Sequence, residues 1–137
     1  MGRAPSDGGV MTSLTLIVVG VASILLTALH VFGGGKACAR PMLDAPFDRV
    51  AKLTLYVCWH YISVHLFAGG IVLVWVGAAP SSAVGLALAA LVSSTYLAFA
   101  VLFVTIAAGS KEPGAWHKFG QWIPFSAMGI AGVLAAV

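Results

Sequence analysis

Residues 53–110 read LTLYVCWHYISVHLFAGGIVLVWVGAAPSSAVGLALAALVSSTYLAFAVLFVTIAAGS, without a single Asp, Glu, Lys or Arg. Over the whole chain of 137 residues, 61% of the residues are hydrophobic and 8% are charged. In soluble domains about a quarter of the residues are charged. An uncharged run of this length is typical of segments that lie in a lipid bilayer. The composition therefore excludes an ordinary soluble domain and predicts a membrane protein.

The apolar segments are long enough to be counted as membrane spans. A helix needs about 20 mainly apolar residues to cross the hydrocarbon core, and helices satisfy their own backbone hydrogen bonds in lipid. Within the uncharged run, GAAPSS at residues 77–82 has the composition of a turn. The predicted spans are residues 11–32, 53–76, 83–108 and 119–137. The predicted fold is all-α, a polytopic four-transmembrane-helix bundle that forms a single membrane domain over residues 1–137.

Three consecutive glycines, Gly33–Gly35, follow the first apolar segment. Because glycine readily adopts the left-handed conformation with which many helices end, the sequence predicts that the first helix stops here. Residues 33–52 then form the longest connection outside the membrane. We interpret it as a solvated connector with an amphipathic stretch at the lipid headgroups. The alternative is a docking site for a partner subunit or a small anionic ligand.

The basic residues lie almost entirely on one side of the predicted membrane. Only Arg3 is on the other side. Six basic residues flank the connections 33–52 and 109–118, namely Lys36, Arg40, Arg49, Lys52, Lys111 and Lys118. The positive-inside rule places both connections in the cytoplasm and both termini outside. Since these residues form no dense patch with stacking aromatics, nothing predicts nucleic-acid binding.

The histidines are the main candidates for a functional site. His30, His60 and His65 lie inside predicted spans, and His117 begins the fourth, all toward the cytoplasmic side. Ionisable side chains inside a membrane usually face the bundle interior or a cavity. His60 and His65 are five residues apart, which is about 140° around a helix, so they face different neighbours.

Two interpretations of the histidines remain open. In one, His30 and His60 face each other across two helices and bind haem or a transition metal, with His65 as a weaker candidate. In the other, the histidines are packing residues that bond to hydroxyl groups of neighbouring helices. The stretch WHYISVH does not match the HExxH pattern of zinc proteases. We predict no catalytic residue, and an enzymatic activity is not favoured.

A third interpretation uses hydroxyl side chains in the first two spans. Ser23, Thr27, Tyr61 and Ser63 could form a polar seam, the path of a small-solute or lipid carrier, with His60 at the floor of a wet cavity. The absence of Asp and Glu from the spans argues against proton coupling through carboxylates.

Three short motifs carry a resemblance. These are ALHVFGGG at residues 28–35, CWH at 58–60 and QW at 121–122. They resemble a pattern in small, uncharacterised four-helix bacterial membrane proteins, in which the matching positions here are His30, Trp59, His60, Gln121 and Trp122. The resemblance implies the same architecture and no settled activity. The predicted location is a bacterial inner membrane.

The favoured function is that of a non-catalytic accessory, assembly or scaffold subunit. Its expected partners are the lipid bilayer and either a membrane partner subunit or a second copy of the chain. The competing hypotheses are the histidine-ligated haem or metal redox protein and the small-solute or lipid carrier.

Overall fold

The structure, a computed structural model, describes residues 7–79 and 81–137, and all regular elements in these ranges are helices. Arg3 and Pro80, on which the predicted orientation and the predicted turn partly depend, lie outside the described residues. The elements are α1 (Asp7–Ala28), a π-helical segment (Leu29–Ala39), α2 (Arg40–Asp44), α3 (Arg49–Ala78), α4 (Ala83–Gly109), α5 (Ala115–Lys118) and α6 (Trp122–Ala136). The all-α prediction is confirmed for this part of the chain.

Three helical runs in the described ranges are long and apolar enough to cross a membrane. They are Gly9–Asp44 with 36 residues, α3 with 30 and α4 with 27. The run from Gly9 joins α1, the π-helical segment and α2 end to end. Helix α6 is apolar but has 15 residues, fewer than the about 20 that a spanning helix needs. The described residues therefore contain three candidate spans, against four in the sequence prediction.

The first helix does not end at Gly33–Gly35, so that prediction is wrong. Arg40 is still helical, and its N–H donates to the carbonyl oxygen of Gly35, five residues earlier, as in a π-helix. Glycine permits the left-handed conformation but does not impose it. At Gly34 the missing side chain makes room for a neighbour instead, because a Cβ there would lie 2.8 Å from Cη2 of Trp59.

The first connection is consequently much shorter than the predicted residues 33–52. Ala45 leaves the helix with an extended backbone (φ −63°, ψ 144°), because the following Pro46 disfavours the helical conformation at that position. Asp48 then caps α3, and its carboxylate accepts a hydrogen bond from the Ala51 N–H at 2.9 Å. A tight turn of residues 45–48 thus folds α2 back onto the start of α3.

Helices α1 and α3 are antiparallel and approach each other at backbone distance. A Cβ on Gly20 would lie 2.6 Å from the carbonyl oxygen of Gly70, and a Cβ on Gly70 would lie 2.8 Å from that of Gly20. Toward the other end of the pair, a Cβ on Gly77 would lie 2.6 Å from the carbonyl oxygen of Ser13. Small residues permit this close packing in membrane helices.

Helix α6 packs on α4 and also contacts α1. A Cβ on Gly129 would lie 3.0 Å from the backbone nitrogen of Leu97 on α4, and one on Gly132 would lie 2.9 Å from Cβ of Ser93 and 3.8 Å from Val19 of α1. The core between α1, α3, α4 and α6 contains Leu16, Val19, Leu66, Leu73, Val76, Ala89, Tyr96, Ala100, Phe125 and Met128. Tyr96 is the largest fully buried side chain among them.

The outer face of α1 is apolar. Leu14, Val18, Val21 and Leu25 follow one another at three- and four-residue spacing and are between 45% and 62% exposed. Soluble monomers rarely expose a continuous apolar surface of this kind. The face is suited to contact with lipid, in agreement with the length and composition of the spans.

Candidate functional site

Ser23 lies at the point where three helices meet. Its side chain is 0% exposed, and its hydroxyl donates to the carbonyl oxygen of Leu66 on α3 at 2.8 Å. The hydroxyl of Tyr96 on α4 lies 2.7 Å from Ser23 Oγ. Because Ser23 gives its one hydrogen to Leu66, Tyr96 is the donor in that second bond. Gly69 makes room for Tyr96, since a Cβ there would lie 2.7 Å from the Tyr96 hydroxyl oxygen.

His65 joins α3 to α4 by a second hydrogen-bond chain. Its Nε2 lies 2.8 Å from Oγ1 of Thr95, whose hydroxyl donates to the carbonyl oxygen of Val92 at 2.7 Å. Thr95 therefore accepts the hydrogen of His65 Nε2. The imidazole also meets Phe99 edge to face, with 5.4 Å between ring centroids. His65 is half-buried and acts as a contact between helices.

His30 lies in the π-helical segment and is held by Trp59 of α3. The two rings stack at a centroid distance of 3.9 Å with 18° between their planes. His30 Nε2 also donates to the backbone carbonyl oxygen of Trp59 at 3.3 Å. Both the face and one nitrogen of this imidazole are thus occupied by Trp59.

The two histidines of the predicted pair have different ring partners in the structure. His60 is exposed, and its ring meets Tyr56 edge to face with 4.5 Å between centroids. Because Nε2 of His30 carries the hydrogen donated to Trp59, Nδ1 is the nitrogen of this ring that has a lone pair for a ligand. Across residues 7–79 and 81–137, no group of three or more His, Cys, Asp or Glu side chains could hold a metal ion. His117 is exposed in α5.

The hydroxyl groups of the predicted polar seam do not line one path. Thr27 donates to the carbonyl oxygen of Ser23 within its own helix at 3.0 Å, and Ser63 donates to that of Trp59 at 3.4 Å. Ser63 is buried, whereas Tyr61 is 73% exposed, because two residues along a helix are about 200° apart. Tyr61 therefore lies on the outer side of α3, away from Ser23.

A groove of about 250 Å³ opens between the π-helical segment, α2 and the first part of α3. Lys36 and Arg40 contribute a basic wall, and Tyr56, Trp59 and His60 contribute an aromatic wall. In the part of the chain that the structure describes, Lys36 and Arg40 form no ion pair with a carboxylate. The groove therefore combines two unneutralised cations with ring surfaces.

No protein-family model matches the chain, and no curated protein and no solved structure matches it. The chemistry of the groove is therefore inferred from the residues that line it. Of the motif positions, Trp59 and His60 line the groove. Gln121 and Trp122 lie at the start of α6, where Trp122 meets Trp116 edge to face at 6.4 Å. Trp59 therefore packs on His30, and Trp122 packs on Trp116.

Sequence reasoning did not single out Lys36, Arg40 and Tyr56 as site residues. A signal was present in the spacing, because Lys36 and Arg40, like Tyr56 and His60, are four residues apart, the separation of neighbours on one helix face. That the two faces meet depends on the helical path continuing through Gly33–Gly35. Because the predicted helix end at these glycines put Lys36 and Arg40 in a connection, the meeting of the two faces was not predicted.

Proposed function

We propose that this protein is a non-catalytic accessory, assembly or scaffold subunit of a membrane complex. The observation that carries the proposal is the hydrogen bonding between the helices. Ser23, Tyr96 and His65 each bond to another helix, and bonds of this kind stabilise packed membrane helices. Side chains bonded in this way hold the helices in a fixed arrangement.

In the proposed architecture, α1, α3, α4 and α6 form a four-helix bundle in a bacterial inner membrane, with residues 119–137 as the fourth span. Both connections lie in the cytoplasm and both termini lie outside. The six basic residues at the connections support this orientation, and the motif resemblance to small four-helix bacterial membrane proteins supports the location. Lipid covers most of the outer surface, and a membrane partner subunit or a second copy covers the rest.

The surroundings of the hydroxyl groups favour the scaffold function over that of a carrier. A carrier needs polar groups that face a shared, hydrated path across the bilayer. Thr27 and Ser63 bond within their own helices, and Tyr61 is exposed on the outside of α3. The scaffold function is favoured over that of a redox protein by the different ring partners of the two histidines, because His30 stacks on Trp59 whereas His60 meets Tyr56.

The test is purification of the tagged full chain from its native membranes in mild detergent. The sample is analysed by absorption spectroscopy in oxidised and reduced states, by metal analysis and by light scattering coupled to mass spectrometry. We expect a colourless, metal-free protein that elutes with a fixed stoichiometry of one partner protein or of itself. A chain that elutes alone as a monomer would contradict the scaffold function.

Two histidine variants separate the redox alternative from the proposal. His30→Ala and His60→Ala should leave the spectrum and the metal content of the purified protein unchanged. A Soret band, or a stoichiometric metal, that is present in the parent and lost in both variants would replace the proposed function with haem or metal binding.

A further inference from the structure

The groove between the π-helical segment and α3 lies at the level of a membrane surface. Helix α3 ends at Ala78, and a hydrocarbon core of about 30 Å corresponds to about 20 helical residues. The opposite boundary therefore passes near Cys58. Because Gly20 of α1 is opposite Gly70 of α3, the same boundary passes near Phe32 on the neighbouring helix. Trp59 at this depth is typical of the aromatic belt of membrane proteins.

The basic wall of the groove lies on the headgroup side of this boundary. Lys36 and Arg40 follow Phe32 along the chain and are both exposed. Neither forms an ion pair within the described residues, so their charges are available to a ligand. A guanidinium group can bind a phosphate through two parallel hydrogen bonds, and an ammonium group adds a second positive charge. The groove is therefore suited to a phosphate group.

The hydrocarbon side of the same boundary is apolar and exposed. Phe32, which lines the groove, is 74% exposed. Val64 is 67% exposed and lies on the same face of α3 as His60. An apolar surface thus continues from the aromatic wall of the groove toward the bilayer interior. A ligand that used both parts would carry a phosphate and hydrocarbon chains.

The floor of the groove is open at Gly35. A Cβ on Gly35 would meet no atom within 4 Å, and the same is true of Gly33. Gly35 lines the groove, whereas Gly33 does not. A large side chain at Gly35 would occupy the space of a ligand, and one at Gly33 would not.

We propose that this groove binds the phosphate headgroup of one acidic phospholipid, whose acyl chains lie along the exposed apolar face of α3 and the π-helical segment. Lys36 and Arg40 hold the phosphate. Tyr56 and His60 contribute hydrogen-bond donors from the opposite wall. The site goes beyond the scaffold function, and it requires neither a partner subunit nor a second copy.

The experiment is native mass spectrometry of the detergent-purified full chain, titrated with phosphatidylglycerol or with phosphatidylcholine. We expect one phosphatidylglycerol to bind with strong preference over phosphatidylcholine. The variant Lys36→Gln with Arg40→Gln should weaken phosphatidylglycerol binding about 30-fold, since each basic residue near an anionic surface contributes about fivefold. The charge-matched control, Arg49→Gln with Lys111→Gln, removes two positive charges outside the groove and should bind as the parent does.

A second pair of variants tests the groove without changing charge. Gly35→Phe should abolish selective phosphatidylglycerol binding, whereas Gly33→Phe should preserve it. Equal loss in both charge variants, or in both glycine variants, would overturn the proposal, and so would equal binding of the two lipids by the parent. Binding of inorganic phosphate in place of the lipid at equal concentration would also overturn it, since the groove would then be a site for free phosphate.

Discussion

Ser23 and Ser93 are both 0% exposed between helices, but they differ in the hydrogen bonding of their hydroxyl groups. Ser23 Oγ bonds to the Leu66 carbonyl oxygen and to the Tyr96 hydroxyl. Ser93 Oγ has no hydrogen-bond partner in the described part of the chain. A buried polar group is tolerated when it is bonded and destabilises the fold when it is not. Two serines of equal burial should therefore differ in their effect on stability.

We predict that Ser23→Ala lowers the free energy of unfolding by about 1–3 kcal/mol, because it leaves the buried Tyr96 hydroxyl without its acceptor. Ser93→Ala should be neutral or stabilising by up to about 1 kcal/mol, because it removes an unbonded hydroxyl. Thermal or denaturant unfolding of both variants in the same detergent, followed by circular dichroism, measures the difference. A larger loss for Ser93→Ala than for Ser23→Ala would contradict the hydrogen-bond assignment.

At the level of elements, the pairing of α1 with α3 depends on glycines at the crossing. Gly20 and Gly70 each face the backbone of the other helix, with 2.6 and 2.8 Å between an added Cβ and the opposite carbonyl oxygen. Backbone cannot move aside as the end of a flexible side chain can. The two helices would have to separate to accept a methyl group at either position.

Gly20→Ala and Gly70→Ala are each predicted to lower the free energy of unfolding by about 1–3 kcal/mol, the usual cost of overpacking. Gly33→Ala is the matched control, because a Cβ there meets nothing within 4 Å and alanine favours a helix by up to about 1 kcal/mol. Unfolding curves in one detergent compare the three variants. If Gly20→Ala were as stable as Gly33→Ala, the close approach of α1 and α3 would be wrong.

Gly34, in the π-helical segment, allows a prediction about the packing of Trp59. Its missing side chain admits the Trp59 ring, which an added Cβ would approach to 2.8 Å. In a background where the other tryptophans are replaced by Phe, Gly34→Ala should shift the Trp59 emission, because the ring must move from its stack with His30. Gly35→Ala, where a Cβ meets no neighbour, should leave the emission unchanged. Identical spectra for both variants would contradict this packing.

For the whole molecule, the orientation in the membrane can be tested with native cysteines. Cys38 and Cys58 are both free and exposed. Cys38 lies in the same headgroup region as Lys36, and the proposed topology places it in the cytoplasm. Ser81 is exposed at the opposite end of the molecule, between α3 and α4.

In a Cys58→Ser background, a membrane-impermeant maleimide should modify Cys38 in inverted membrane vesicles and not in intact cells. As a control, Ser81→Cys in a chain without Cys38 and Cys58 should show the reverse pattern. Mass spectrometry of the protein measures the modification of the cysteine in both cases. Modification of Cys38 from outside intact cells would invert the proposed topology.

The all-helical architecture and the approximate position of the long spans could be predicted from composition alone. Residues 53–110 lack charge, and the transfer of a side chain between water and lipid depends mainly on that side chain. The turn between α3 and α4 could be located for a similar local reason, because Gly, Pro and Ser restrict or release the backbone at their own positions. At Gly33–Gly35 the helical path nevertheless continues, and Gly34 makes room for the neighbouring Trp59 ring.

The contacts of the polar side chains could not be predicted in this way. Ser23 forms hydrogen bonds with Leu66 and Tyr96, and His30 forms one with Trp59. These partners are on helices that are distant along the chain. The groove likewise requires two helix faces to meet at one depth, and that depth is set by the close approach of Gly20 and Gly70. Composition governs whether a segment enters the membrane, because each residue contributes separately to its transfer free energy. Partners of buried groups follow from packing, because hydrogen bonds and close contacts need two surfaces held together.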